Sequence, residues 1–138
     1  MRSISPRASV RESLLESAVV DLGAFDGSAH IEIQPPRIVL GYEYYRHGSP
    51  VDIYLDVLHE IVHLRQLSEG CELWDSRFAY VDRPTEIEGY AVAVGEAMRL
   101  GMSREQILDH LTNPWMSEAD VRRLYANVIK FMADRIET

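Results

Sequence analysis

The sequence predicts an α+β fold, a small antiparallel or mixed sheet packed on helices. Three observations carry this expectation. Short runs rich in β-branched and aromatic residues lie early, at positions 30–34 and 37–45. Later segments repeat apolar residues at helical spacing, each bounded by a capping residue and a glycine or proline. The chain has 138 residues, 46% hydrophobic and 26% charged, so positions 1–138 are expected to form a single domain with its own core.

Residues 9–20 read as a first helix, with Val10, Leu14 and Ala18 on one face. A turn-rich break follows at 23–28, then a short strand at 30–34. Pro35-Pro36 interrupts it, as suits a strand at a sheet edge. RIVLGYEYY at 37–45 is the best strand in the chain. The clearest helix comes next. Ser49 can cap it, Pro50 fits its first position, Asp52 complements the positive helix end, and the pattern runs to Glu69 before Gly70 stops it. Residues 71–81, with Phe78, Tyr80 and Val81, suggest another strand. Asp82 and Pro84 open a helix through Leu100, which Gly101 ends. Ser103 caps a short helix to Leu111, Asn113-Pro114 breaks it, and Ser117 starts a last helix carrying Val121, Leu124, Val128 and Met132 on one side. Trp74 and Trp115 are expected as packing anchors, Cys71 as a small buried apolar residue, and His30, His47 and His110 as surface residues.

Charge and composition narrow the function. A net charge of −8 lacks the basic footprint of a nucleic-acid binder and is repelled by an anionic membrane surface. The one cysteine excludes an internal disulfide. No window approaches 18 apolar residues, and the first 20 residues lack the apolar run of a secretory leader, so the expected compartment is cytoplasmic.

Residues 59–63 read HEIVH, the pattern His-Glu-x-x-His, inside the clearest helix. In a chain of this composition it arises by chance in ~1–2% of cases, and a chance match need not fall mid-helix. Histidines four apart share one helix face, so His59 and His63 can converge on one zinc ion. Glu60 lies beside them and can take a proton from a water held there. At about 100° per residue, Leu55, Val57, Leu58, Ile61, Val62 and Leu64 fill the opposite arc, and both histidines share a polar arc with Asp52, Asp56 and Glu60. The alternatives are a pair of histidines on a solvated face, or two core histidines with partners, and the wheel weakens the second.

A zinc site needs a third protein ligand. The next helix, PTEIEGYAVAVGEAM, offers Glu86 and Glu88. Its apolar face is Ile87, Tyr90, Ala91, Val94, Ala97 and Met98; Glu86 falls at the margin of that face and Glu88 points more nearly away. Geometry therefore favours Glu86, against the alternative that each glutamate only complements the helix dipole.

HEIVH followed by TEIEGYAVAVGEA resembles the active-site helix and glutamate helix of gluzincin-type zinc metallopeptidases, in particular the minimal gluzincins. The resemblance spans residues 37–100. It implies a zincin-like fold, His59 and His63 as ligands, and Glu60 as general base and acid. For the third ligand it leaves two alignments. Glu-x-x-Ala-Asp places the ligand at Glu86 with Tyr90 where the aspartate would stand, whereas Asn-Glu-Gly-Phe-Ala resembles Glu88-Gly89-Tyr90-Ala91. No histidine stands at Glu69, where a metzincin third ligand would fall. The strand at 37–45 corresponds to the substrate-side edge strand of this family, which can take an extended peptide as a further strand; the alternative is an interior strand of the sheet.

The expected activity is zinc-dependent hydrolysis of a peptide or protein substrate. The rival expectation is a zinc-binding regulatory or interaction module with a latent or inactive peptidase site, since a chain this short has little room for substrate-pocket walls. Glu60 favours catalysis, because structural zinc needs no base. Tyr80 and Tyr90 are read mainly as core packing, with hydrogen bonding to a developing oxyanion as the alternative.

Overall fold

The structure, a computed structural model, describes residues 19–25 and 27–136. The helix expected at 9–20 lies outside these residues up to position 18, and at Val20 the chain is already in a strand. The chain divides after Cys71 into two compact units.

The first unit holds strands β1 (Val20–Gly23), β2 (Ala29–Ile33) and β3 (Pro36–Gly41), then helices α1 (Tyr42–His47) and α2 (Pro50–Ser68). The sheet is mixed, in the order β1-β3-β2. β1 runs parallel to β3 with Val20 opposite Ile38, and β2 runs antiparallel with Glu32 opposite Arg37. The middle strand is the most apolar, and Ile38, Val39 and Leu40 are buried. Arg37 joins all three strands: its guanidinium bonds Asp21 of β1 at 2.6 Å and Glu32 of β2 through Nε at 2.8 Å. The strand read as a substrate-side edge is therefore interior. Both of its sides are paired, and the sheet edges belong to β1 and β2.

That strand is also shorter than expected, ending at Gly41 while residues 42–47 turn into α1. Gly41 lies so close to the preceding loop that a Cβ there would stand 2.2 Å from the Gly27 carbonyl oxygen. Beyond it, Glu43 sits in the first helical turn and Arg46 and His47 in the last, matching the helix dipole, and Glu43 pairs with His47 at 3.2 Å. These local terms override the β-preference of three tyrosines. Tyr44 ties α1 to α2 by donating to Asp56 Oδ2 at 2.5 Å.

Helix α2 follows the sequence signals. The Ser49 hydroxyl accepts from the Asp52 N–H, Pro50 begins the helix, Glu69 is the C-cap, and Gly70 takes φ +82°, a conformation that suits glycine. The helix packs on β2 and β3. Leu55, Val62 and Leu64 are buried.

The second unit holds a 3-10 turn (Tyr80–Asp82) and helices α3 (Pro84–Arg99), α4 (Arg104–Leu111) and α5 (Glu118–Ile136). No strand forms at 71–81. Asp75 closes a turn instead, accepting from the Arg77 backbone N–H at 3.1 Å and from its guanidinium at 2.7 Å. Asp82 does not cap α3; it takes hydrogen bonds from Arg123 at 2.6 Å and Asn127 at 3.1 Å, fastening the turn to α5. Ser103 and Gln106 form a capping box on α4, and Ser117 and Asp120 make the same reciprocal pair before α5. The core of the unit is Ala93, Val94 and Ala97 of α3, Ile107 and Leu111 of α4, and Val121, Leu124 and Val128 of α5.

Both tryptophans depart from expectation: Trp74 is 56% exposed and Trp115 60%. In each case a chain neighbour, Leu73 or Met116, takes the buried position. Cys71 is also exposed rather than buried. His47 is exposed, whereas His30 is half-buried against Phe25. Among the described residues no helix is long and apolar enough to cross a membrane.

Three outcomes follow from this packing. Ile38→Ala, at a fully buried site in the middle strand, should destabilise the protein by about 2–5 kcal/mol in denaturant titration. Arg37→Ala should cost less, and its effect should shrink with added salt because its ion pairs are half-exposed. The Arg77 guanidinium holds the Asp75 carboxyl at about 2, below its ordinary 3.8. A lowered carboxyl pKa stabilises the fold above the ordinary value, and that stabilisation is lost as pH falls through about 2. Carboxyl NMR titration of Arg77→Ala should find Asp75 returned toward 3.8.

Candidate metal centre

Helix α2 carries His59 and His63 one turn apart, their rings edge to face with centroids 4.5 Å apart. Each is only 6% exposed, so the polar arc of this helix turns inward at the histidines and they are not on a solvated face. Asp52, Asp56 and Glu60, on the same arc, are partly buried. Three residues past His63, Gln66 is 2% exposed, and its Oε1 lies 2.8 Å from His63 Nδ1. A side-chain carbonyl oxygen only accepts, so Nδ1 is the donor and the lone pair of a neutral His63 ring resides on Nε2.

Helix α3 contributes Glu86 in its first turn, 6% exposed, with Tyr90 one turn on at 8%. The Tyr80 hydroxyl lies 2.7 Å from that of Tyr90. Burial pushes the Tyr80 phenol far above its ordinary range, and the neighbouring Tyr90 and Glu86, both hydrogen-bonded to it, push it further. Tyr80 is thus a protonated donor beside a buried carboxylate. Glu88 is differently placed: it is partly buried and faces Arg135, whose Nη2 lies 3.3 Å from its Oε2.

Ligand atoms of His59, His63 and Glu86 all lie within 4.8 Å of one another. Two imidazoles and one carboxylate so grouped can bind a metal ion, and the mixture of nitrogen and oxygen donors suits a divalent transition metal better than magnesium or calcium. The group takes in Glu86, the candidate that the helix phase favours, and not Glu88. Cys71 is not part of it. Gln66 went unrecognised from the sequence, although its place seven residues after His59 and three after His63 puts it on the same stripe. No known family model, curated protein or solved structure matches the chain.

Glu86→Gln should weaken zinc binding far more than Glu88→Gln, as read by competition with a chromogenic chelator. Equal loss in the two variants would count against Glu86 as a ligand.

Proposed function

We propose that the protein is a zinc-dependent peptidase of gluzincin type with a minimal zincin-like fold. The observation that carries this reading is the buried group of His59, His63 and Glu86, two members of which come from HEIVH. Two neutral imidazoles and a carboxylate are a donor set that catalytic zinc uses, with a further position left for substrate or water. His59, His63 and Glu86 would hold the ion. When bound, zinc supplies a Lewis acid that polarises a peptide carbonyl and makes water more acidic.

The remaining chemistry falls to the chain's own side chains. Glu60, adjacent to His59 and outside the ligand group, accepts the proton of the attacking water and passes it to the leaving amine nitrogen. Tyr80, held by Tyr90, keeps the Glu86 carboxylate hydrogen-bonded in a buried setting. The substrate class is a peptide or protein. A single cysteine supports a reducing, cytoplasmic setting for the reaction.

Glu60→Gln tests the reading directly. The variant should retain close to one equivalent of zinc and lose on the order of 10²–10⁴-fold in peptide cleavage, the usual worth of a general base. Cleavage of a mixed peptide library, read by mass spectrometry with a chelated control, measures it. Zinc uptake without cleavage of any peptide by wild type would favour the non-catalytic zinc module. Undiminished cleavage by Glu60→Gln would remove the proposed base.

A further inference from the structure

We infer that Gln66 is a positioning residue for the metal centre: its side-chain carbonyl holds the Nδ1 proton of His63 and so presents Nε2 to the ion. The inference rests on the zinc reading above and adds a determinant of how well the site binds. Its first support is geometric. The 2.8 Å contact joins two side chains on one helix, three residues apart, both almost fully buried. Helical spacing fixes their relation, so the orientation is built in before any metal arrives.

The second support is chemical. A buried amide is a costly way to fill a helix stripe, where leucine would pack without a polar group to satisfy. The amide returns that cost by selecting a tautomer. With Nδ1–H engaged, Nε2 is deprotonated and ready to coordinate, and the ring cannot rotate without breaking the bond. A partner of this type accounts for one to two powers of ten in metal affinity at well-studied sites.

The third support is electrostatic. Gln66 is neutral, whereas a carboxylate is a frequent partner for a metal-bound histidine. A further buried anion would be expensive in the metal-free protein. A neutral acceptor orients the ring without adding that charge. It also withholds the extra basicity that a carboxylate lends to imidazole, leaving the bound ion more electrophilic.

The test uses the full chain and two near-isosteric variants, Gln66→Met and Gln66→Glu. Long-range imidazole ¹⁵N–¹H correlation spectra of the chelator-stripped protein should place the His63 proton on Nδ1 in wild type and Gln66→Glu. In Gln66→Met the Nδ1–H form should give way. Zinc affinity, by chelator competition, should fall about 10- to 100-fold in Gln66→Met and be restored or strengthened in Gln66→Glu. A general packing defect would weaken both variants alike. If Gln66→Met does not fold, the wild-type tautomer and the Gln66→Glu affinity still decide. A proton on Nε2 in wild type, or zinc affinity equal to wild type in a folded Gln66→Met, overturns the positioning role while leaving the metal site intact. An Nδ1 proton in a wild-type chain that takes up no zinc overturns the metal reading, and the positioning role with it.

Discussion

Helix α2 buries two imidazoles and an amide along one stripe, and a buried polar group left without a partner costs about 1–3 kcal/mol. That constraint governs how the helix is built. Apolar side chains around that stripe must hold the helix in place, and Leu55, Val62 and Leu64 are buried. Its ends must be fixed, because a slip of one residue would rotate the stripe by about 100° and bury the wrong groups. Ser49 and Pro50 at one end and Gly70 at the other set that phase. Inside the stripe, His63 and Gln66 satisfy each other across one turn.

Glu86 meets the same constraint in the second unit by different means. It lies at the start of α3, where the positive helix end favours a carboxylate, and the Tyr80 hydroxyl, itself 2.7 Å from that of Tyr90, is hydrogen-bonded to it. Glu88, two residues on, faces Arg135 of α5. A glutamate engaged by an arginine already has its counter-charge. The two glutamates differ by 200° of helix phase, which separates a buried position grouped with the two histidines from a fastening between helices.

Helix phase is what the sequence carries best here. Capping residues and apolar spacing located α2, α3, α4 and α5 to within a residue or two, and the wheel of α3 chose Glu86 over Glu88. The failures share a different cause. Tyr42 to Tyr45 read as strand because propensity is blind to Gly41, whose close approach to Gly27 ends β3. Residues 71–81 read as strand because Phe78, Tyr80 and Val81 suit one, yet the Asp75–Arg77 staple curls the backbone first. Trp74 and Trp115 read as packing anchors, yet residues in turns point where the turn sends them, and Leu73 and Met116 take the buried positions. Gln66 escaped notice because an amide is not a ligand type, and a partner of a ligand is visible only as a position on the stripe.

For the proposed hydrolase, the number of ligands matters as much as their identity. Structural zinc closes its coordination with four protein donors, most often including thiolates, whereas catalytic zinc keeps three and leaves a place for substrate or water. The group built on HEIVH has three members among the described residues. The chain does contain one thiol, the donor zinc favours most in structural sites, but Cys71 stands exposed two residues beyond the α2 cap and outside the group. A site assembled for stability would gain from a fourth ligand and would have no use for a carboxylate next to the first histidine. Glu60 occupies that place, partly buried and on the same helical arc as both histidines. In the proposed hydrolase, three such donors would hold the ion and leave a place for a reactant, with Glu60 beside them to move its proton.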